Sequence, residues 1–147
     1  MAWGVVYYRA PTRRHTHRSE FELGSIAELP RVDVVHAYPG ADARTIEPLL
    51  EAAAPAGLVV AGYAFSGMPA IGQVEALTAA AANGTVVVCA NRGLDGRVPF
   101  PLDESRTAGR GFVHGDDLPP HKARILLQVA LTRTRDPREL QRVFDEY

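Results

Sequence analysis

Two histidines flank a threonine near the start of the chain, at His15, Thr16 and His17. Imidazole nitrogens bind zinc and other transition metals, so a His-x-His pair is a candidate half of a metal site. No Cys, Asp or Glu stands at the fixed spacing from this pair that a tetrahedral site requires. We therefore expect both histidines to have a structural or solvated role, and we expect no metal site.

Several hydroxyl groups are candidate nucleophiles, but none has an identifiable general base. Ser66 falls in a predicted turn, and four threonines fall on or near predicted helices: Thr45, Thr78, Thr132 and Thr134. Thr16 and Ser19 are close to two histidines in sequence, but closeness in sequence does not establish the geometry of a catalytic triad. We expect no catalytic residue in this chain.

Motifs for bound cofactors are also missing. The spacing Gly93-x-x-Gly96 is too short for a phosphate-binding loop, and no Gly-x-Gly-x-x-Gly follows the first predicted strand. The single cysteine, Cys89, lies in an apolar run, so we expect a small buried hydrophobic residue there and no internal disulfide. We expect no cofactor.

The elements that position these residues repeat in a strand–helix rhythm. Runs of apolar residues predict strands at 32–38, 58–63, 85–90 and 111–113, and helical spacing predicts helices from Asp42, from Ile71, within 115–132 and from Asp136. Strands that are apolar on both faces are typical of parallel sheets covered by helices. The predicted fold is an α/β three-layer sandwich, Rossmann-like or flavodoxin-like, whose four-stranded, mainly parallel sheet has helices on both faces.

The segment 115–132 gives the clearest helix signal. Asp116 and Asp117 predict an N-terminal cap, and two prolines suit the first turn. The apolar residues recur at helical spacing, and Ile125 and Val129 widen the apolar face: Ala123, Leu126, Leu127, Ala130, Leu131. We expect Leu126, Leu127 and Ala130 to pack against the sheet. Ligands of such sheets bind beyond the carboxyl ends of the strands, here at 39–42, 64–69, 91–96 and 114–117.

Composition limits the classes of partner. The 147 residues fit one domain, which we divide into an arm at 1–30, with a strand at residues 5–8, and an α/β domain at 31–147. A net charge of −1 gives no reason to expect nucleic acid or an anionic membrane. No run of about 18 apolar residues predicts a membrane span, and the first residues lack the pattern of a signal peptide. The compartment stays unknown.

Several separated motifs resemble one enzyme family in order and approximate spacing. They are Tyr8-Arg9-Ala10-Pro11, Arg14-His15-Thr16, Ser19-Glu20-Phe21, Leu29-Pro30-Arg31-Val32-Asp33, Pro120 to Leu127, and Asp136-Pro137 followed by Leu140-Gln141. Together they resemble the smaller, C-terminal domain of bacterial type II L-asparaginases. The resemblance covers nearly the whole chain, and no segment resembles the larger N-terminal domain of that family.

The resemblance implies where the family's chemistry is carried out. Its nucleophilic threonines belong to the N-terminal domain, in Thr-Gly-Gly-Thr-Ile and His-Gly-Thr-Asp-Thr motifs that this sequence lacks. The C-terminal domain of a neighbouring subunit closes the site with an asparagine and a glutamate. Their positions fall on Phe65 and on or near Glu104, so the asparagine is substituted here. An exposed loop carboxylate is the alternative interpretation of Glu104.

Two hypotheses follow from these observations. The first is a C-terminal domain of an L-asparaginase-like amidohydrolase, with a structural, oligomerising and site-completing role and no catalysis alone. Its implied partners are copies of itself, an N-terminal asparaginase domain and, in the complete family, a small amino-acid amide. The second is a stand-alone α/β module for binding or assembly that derives from the same domain.

Overall fold

A single four-stranded sheet organises the molecule. The computed structural model describes residues 13–64, 66–93, 96–98 and 109–147, so the strand predicted at residues 5–8 lies outside the described residues. The strands are β1 (Val32–His36), β2 (Gly57–Gly62), β3 (Val86–Asn91) and β4 (Val113–His114), in that spatial order and with every pair parallel. The predicted sheet is confirmed, and no strand boundary moves by more than two residues.

Helices cover both faces of this sheet. On one face lie α1 (Glu47–Ala53) and α2 (Val74–Ala82), and on the other lie α3 (Pro120–Ala130) and α4 (Pro137–Glu146). The two central strands are buried along their whole length, which explains why they read as continuous runs of Val, Leu and Ala. Alternate residues of each strand enter the two cores, and the three-layer sandwich is confirmed.

The core next to α3 and α4 matches the expected packing. Leu127 and Ala130 are fully buried and Leu126 is partly buried, all against the sheet residues of that face. Ile125 is 51% exposed, so the side of α3 on which it lies is not covered by another part of the described chain. This helix face is therefore single, and it is directed at the sheet.

The helix ends show one correct cap prediction and one wrong one. Asp136 caps α4, because its carboxylate accepts from the backbone N–H groups of Arg138 and Glu139. Asp116 and Asp117 do not cap α3, which begins at Pro120 after Pro119 with no side-chain cap. They lie too far upstream, and their carboxylates bind arginines instead.

Two further expectations are wrong. Ile71 was expected to begin the inner stripe of α2, but it precedes that helix and is 74% exposed. The helix starts at Val74, and Asn83 and Gly84 end it as predicted, with Gly84 at φ 89°. The apolar run at 32–38 favours a hydrogen-bonded interior position for His36 over a ligand role, but the residue is exposed on the edge strand β1.

The described part of the arm, residues 13–30, packs on α3 and α4. The rings of Phe21 and Tyr147 lie 5.1 Å apart, and the Tyr147 hydroxyl accepts from the Glu20 backbone N–H at 2.7 Å. Arg142 of α4 donates to both carboxylate oxygens of Glu20, at 3.1 and 3.0 Å. Gln128 of α3 donates to the carbonyl of Pro30. The arm and the last helix therefore stabilise each other.

Candidate functional site at the carboxyl edge of the sheet

The loops that follow the four strands meet at one edge, because all four strands run in the same direction. They span residues 37–42, 63–73, 92–98 and 115–119, apart from the residues outside the description. This is the edge where the sequence placed a site. The polar contacts between these loops determine what the edge can bind.

Gln73 joins the loops after β1 and β2. Its side chain is fully buried, and its amide nitrogen donates to the carbonyl of His36 at 3.0 Å and to the Thr45 hydroxyl at 2.9 Å. Its amide oxygen accepts from the backbone N–H of Ala70 at 3.1 Å. A single buried side chain therefore binds two backbone groups and one hydroxyl group from different parts of this edge.

The loop after β2 makes a tight turn around position 65. Gly67 donates its backbone N–H to Tyr63, and Tyr63 donates to the carbonyl of Met68, at 2.8 and 2.9 Å. A Cβ on Gly62 would overlap the backbone of Gly67, and Gly67 has φ 65°. Both glycines are needed for this close approach. Phe65 itself lies outside the described residues, although Ala64 and Ser66 on either side of it belong to this turn.

Arg92 connects the ends of β1, β2 and β3. Its guanidinium donates to the carbonyl of Ala37 and lies 5.1 Å from the ring centroid of Tyr63, within the range of a cation–π contact. The preceding residue, Asn91, is buried, and its side-chain oxygen accepts from the Gly93 backbone N–H at 2.6 Å. These contacts fix the start of the loop that follows β3.

Asp116 is the centre of a buried ion-pair cluster beyond β4. Its carboxylate accepts from Arg13 at 3.1 Å and from Arg97, and Arg13 also donates to Asp117 at 2.7 Å. The backbone of Asp116 has φ 51°, and its carbonyl accepts from the Val98 N–H at 2.8 Å. The bond to Asp116 raises the pKa of Arg97. The cluster ties the arm and the loop after β3 to the β4–α3 turn.

A shallow cleft of about 430 Å³ opens between the first two loops. Its lining combines small residues with an aromatic ring and one carboxylate: Gly40, Ala41, Asp42, Tyr63, Pro69, Ala70, Ile71 and Gly72. Arg44 binds the Asp42 carboxylate and lowers its pKa, so this charge is already balanced. The cleft has the volume of a small-molecule site but offers few polar groups to fix a ligand.

Three of the candidate hydroxyl groups donate to the backbone, whereas that of Thr16 lies 3.2 Å from the Nδ1 atom of His15. Thr78 and Thr132 donate to backbone carbonyls one turn back, at 2.7 Å each, and Thr45 donates to the carbonyl of Asp42 at 2.8 Å. Burial raises the pKa of the Cys89 thiol to about 12, so this group is protonated at neutral pH. The edge is built to hold loops in position.

The two predicted site positions are not among the described residues. Phe65 and Glu104 both fall in gaps of the description, and the structure therefore does not place them relative to each other. Sequence reasoning missed Arg13, Gln73 and Asp116 as organisers of this edge. Apart from the Ala70 N–H that binds Gln73, the bonds of these side chains reach partners 19 to 104 residues away in sequence, and no local spacing signals such pairs. Within the described ranges, no three His, Cys, Asp or Glu side chains group to hold a metal.

Comparison with known proteins gives a consistent family match. The Glutaminase/Asparaginase C-terminal domain family matches residues 31–144. The chain is 37% identical over 143 residues to L-asparaginase 2 of Escherichia coli, covering 97% of this chain and 40% of that protein. It is 34% identical over 145 residues to the probable periplasmic L-asparaginase of Haemophilus influenzae, with the same coverage. A glutaminase-asparaginase of Pseudomonas fluorescens is 34% identical over 141 residues, which are 96% of this chain and 38% of that protein.

The chain therefore spans about 40% of the length of these curated relatives. Among its described helices, none is long and apolar enough to cross a bilayer.

Proposed function

The chain belongs to the glutaminase/asparaginase C-terminal domain family, and we propose that it completes the active site of an L-asparaginase-like amidohydrolase. In this role the chain supplies structure, subunit contacts and loops at the edge of a site whose nucleophile lies on an N-terminal domain. The substrate class is a small amino-acid amide. By itself the chain does not hydrolyse amides.

One observation carries this proposal. The aligned region covers 97% of this chain but only 40% of L-asparaginase 2, so the relatives contain a large part that has no counterpart here. The resemblance assigns the nucleophilic threonines to that part. The hydroxyl groups of Thr45, Thr78 and Thr132, which donate to backbone carbonyls, agree with a supporting role. Amide hydrolysis requires an activated nucleophile and donors aimed at the developing oxyanion.

The site residues we propose are Glu104 and the residue at position 65. The turn from Tyr63 to Met68 lies at the carboxyl end of a central strand, and its described backbone hydrogen bonds join Tyr63 to Gly67 and to Met68. An asparagine there would offer an amide to a polar substrate, and Phe65 offers none. Sites built to hydrogen-bond a substrate lose heavily when one partner is absent. We therefore propose that Phe65 weakens substrate binding.

We further propose that the domain proper spans residues 31–147 and that residues 1–30 connect it to the N-terminal domain. The family match begins at residue 31, which supports this division. Self-association belongs to the same proposal. Exposed apolar side chains beside the cleft, Tyr38 and Ile71, suit a surface that another subunit covers.

An assembly experiment tests the proposal. The purified chain is mixed with the N-terminal segment of Escherichia coli L-asparaginase 2, which lacks its own C-terminal domain, and the mass of the mixture is measured by light scattering. We expect a complex that contains both components. A variant of the chain, Ile71→Asp, adds a charge at the exposed edge without touching the core. We expect this variant to weaken assembly. Two components that stay separate at high concentration would contradict the proposal.

A further inference from the structure

The two imidazoles at the start of the arm converge on one hydroxyl group. The Nδ1 atom of His15 lies 3.2 Å from Thr16 Oγ1, and the Nδ1 atom of His17 lies 3.4 Å from the same oxygen. Because both nitrogens lie so close to one atom, they cannot be farther apart than about twice these distances. Sequence spacing alone did not predict this convergence. On the basis of that spacing, no metal was expected at this pair.

The backbone of Thr16 produces the convergence. Its φ of 47° lies in the left-handed region, which β-branched residues rarely adopt. The 3₁₀ turn Thr16–Arg18 that starts here is closed by bonds from the Arg18 and Ser19 N–H groups to the carbonyls of His15 and Thr16. Such strain costs on the order of 1–3 kcal/mol and concentrates at functional positions.

We propose that His15 and His17 form a surface site for a divalent first-row transition metal, with both Nδ1 atoms as ligands. Neutral imidazole suits Zn²⁺, Ni²⁺ and Cu²⁺. A metal about 2.0–2.1 Å from each nitrogen needs the nitrogens roughly 3 to 3.5 Å apart, a separation that rotation of the two exposed rings can adjust. The ion lies between the two nitrogens, near the Thr16 hydroxyl, and water fills the remaining coordination sites.

The charges around the pair do not prevent this binding. Two guanidiniums flank the pair in sequence: that of Arg14 is balanced by the carboxylates of Glu20 and Glu146, each at 3.3 Å, and that of Arg18 is exposed to solvent, where its charge is screened. Both histidines are exposed, so an ion reaches them without a conformational change in the core. The site lies on the arm and does not depend on the proposed amide chemistry.

Nickel binding to the untagged chain, measured by isothermal titration calorimetry at neutral pH, tests the site. We expect one Ni²⁺ per chain, and we expect His15→Ala or His17→Ala alone to weaken binding at least tenfold. The matched control is His121→Ala, which removes an exposed histidine on α3 and should leave binding unchanged. Equal affinity of the original chain and the His15→Ala, His17→Ala double variant would overturn the proposal.

A backbone variant separates geometry from the mere presence of two histidines. Thr16→Pro keeps both imidazoles but sets φ near −65°. Its neighbour His15 has φ −157° and ψ 163°, which a following proline tolerates, and the first position of a turn needs no amide proton. We expect Thr16→Pro to keep a cooperative thermal transition and to lose Ni²⁺ binding at least tenfold. Unchanged binding in this variant would refute the convergent site.

Discussion

Single side chains hold the carboxyl edge together. Gln73 is the clearest case, because one buried amide satisfies a carbonyl after β1, a hydroxyl before α1 and an N–H after β2. Asp116 also connects separate segments, because its carboxylate binds both Arg13 of the arm and Arg97 of the loop after β3. The residues of greatest consequence at this edge are therefore those that contact two or more loops.

Replacing Gln73 with Leu should lower the free energy of unfolding by about 2–4 kcal/mol. The new side chain is similar in size but leaves the carbonyl of His36 and the N–H of Ala70 without their partner, and each unsatisfied group costs about 1–3 kcal/mol. Urea denaturation measures the loss. Thr45→Val removes one of the three Gln73 contacts together with the Thr45 bond to the Asp42 carbonyl, and it should cost about 1 kcal/mol. Equal effects of the two variants would show that the Gln73 contacts to the backbone contribute little.

The bond between Glu20 and Arg142 should make stability depend on pH. The Arg142 guanidinium holds the pKa of Glu20 below its usual 4.5, so the carboxylate stabilises the folded chain above that pH. As the pH falls through the lowered pKa, Glu20 becomes protonated in the folded state and the contribution is lost. Glu20→Gln should therefore lower the free energy of unfolding by about 1 kcal/mol at neutral pH. At a pH below the lowered pKa of Glu20, the same change should cost almost nothing.

Denaturation of the original chain and of Glu20→Gln, from neutral pH to below the lowered pKa of Glu20, checks the sign of the effect. Glu51→Gln, at an exposed position of α1, is the control and should follow the original chain at every pH. A destabilisation by Glu20→Gln that grows as the pH falls would contradict the assignment.

At the scale of helices and strands, the sequence predicts the fold well where the pattern is local. The buried strands β2 and β3 read as apolar runs, and the Asp136 cap of α4 acts within three residues of its partners. The Asp116 prediction failed because a cap signal and a tertiary ion pair look alike in sequence. Only the left-handed φ of Asp116 and the position of Arg13 decide between them, and neither has a local signature.

The packing of α3 gives the sharpest test at this scale. Leu127 is fully buried against the sheet, whereas Ile125, two residues earlier, is 51% exposed. Leu127→Asp should unfold the chain, because it removes about 1.5–3 kcal/mol of burial and adds a buried charge to a marginally stable domain. Ile125→Asp is the matched control and should change the free energy of unfolding by less than about 1 kcal/mol. A cooperative thermal transition for Leu127→Asp would disprove this packing.

At the scale of the whole molecule, the chain is a member of the glutaminase/asparaginase C-terminal domain family, and we propose that its polar edge supports a site built elsewhere. The four loops meet at one edge, as parallel strands require, and buried contacts hold them. The sequence predicted which loops meet there. It could not predict Arg13 or Gln73, because their roles depend on contacts between residues far apart in the chain.

The most direct test of the proposed role is asparagine hydrolysis by a fusion. The chain is joined to the N-terminal segment of Escherichia coli L-asparaginase 2, and ammonia release is followed with and without Phe65→Asn, while the chain alone and the segment alone serve as controls. We predict no turnover from either control, weak turnover from the fusion, and kcat/KM at least tenfold higher with Phe65→Asn. Turnover by the chain alone, or a folded, assembled fusion that stays inactive with both residues at position 65, would contradict the account.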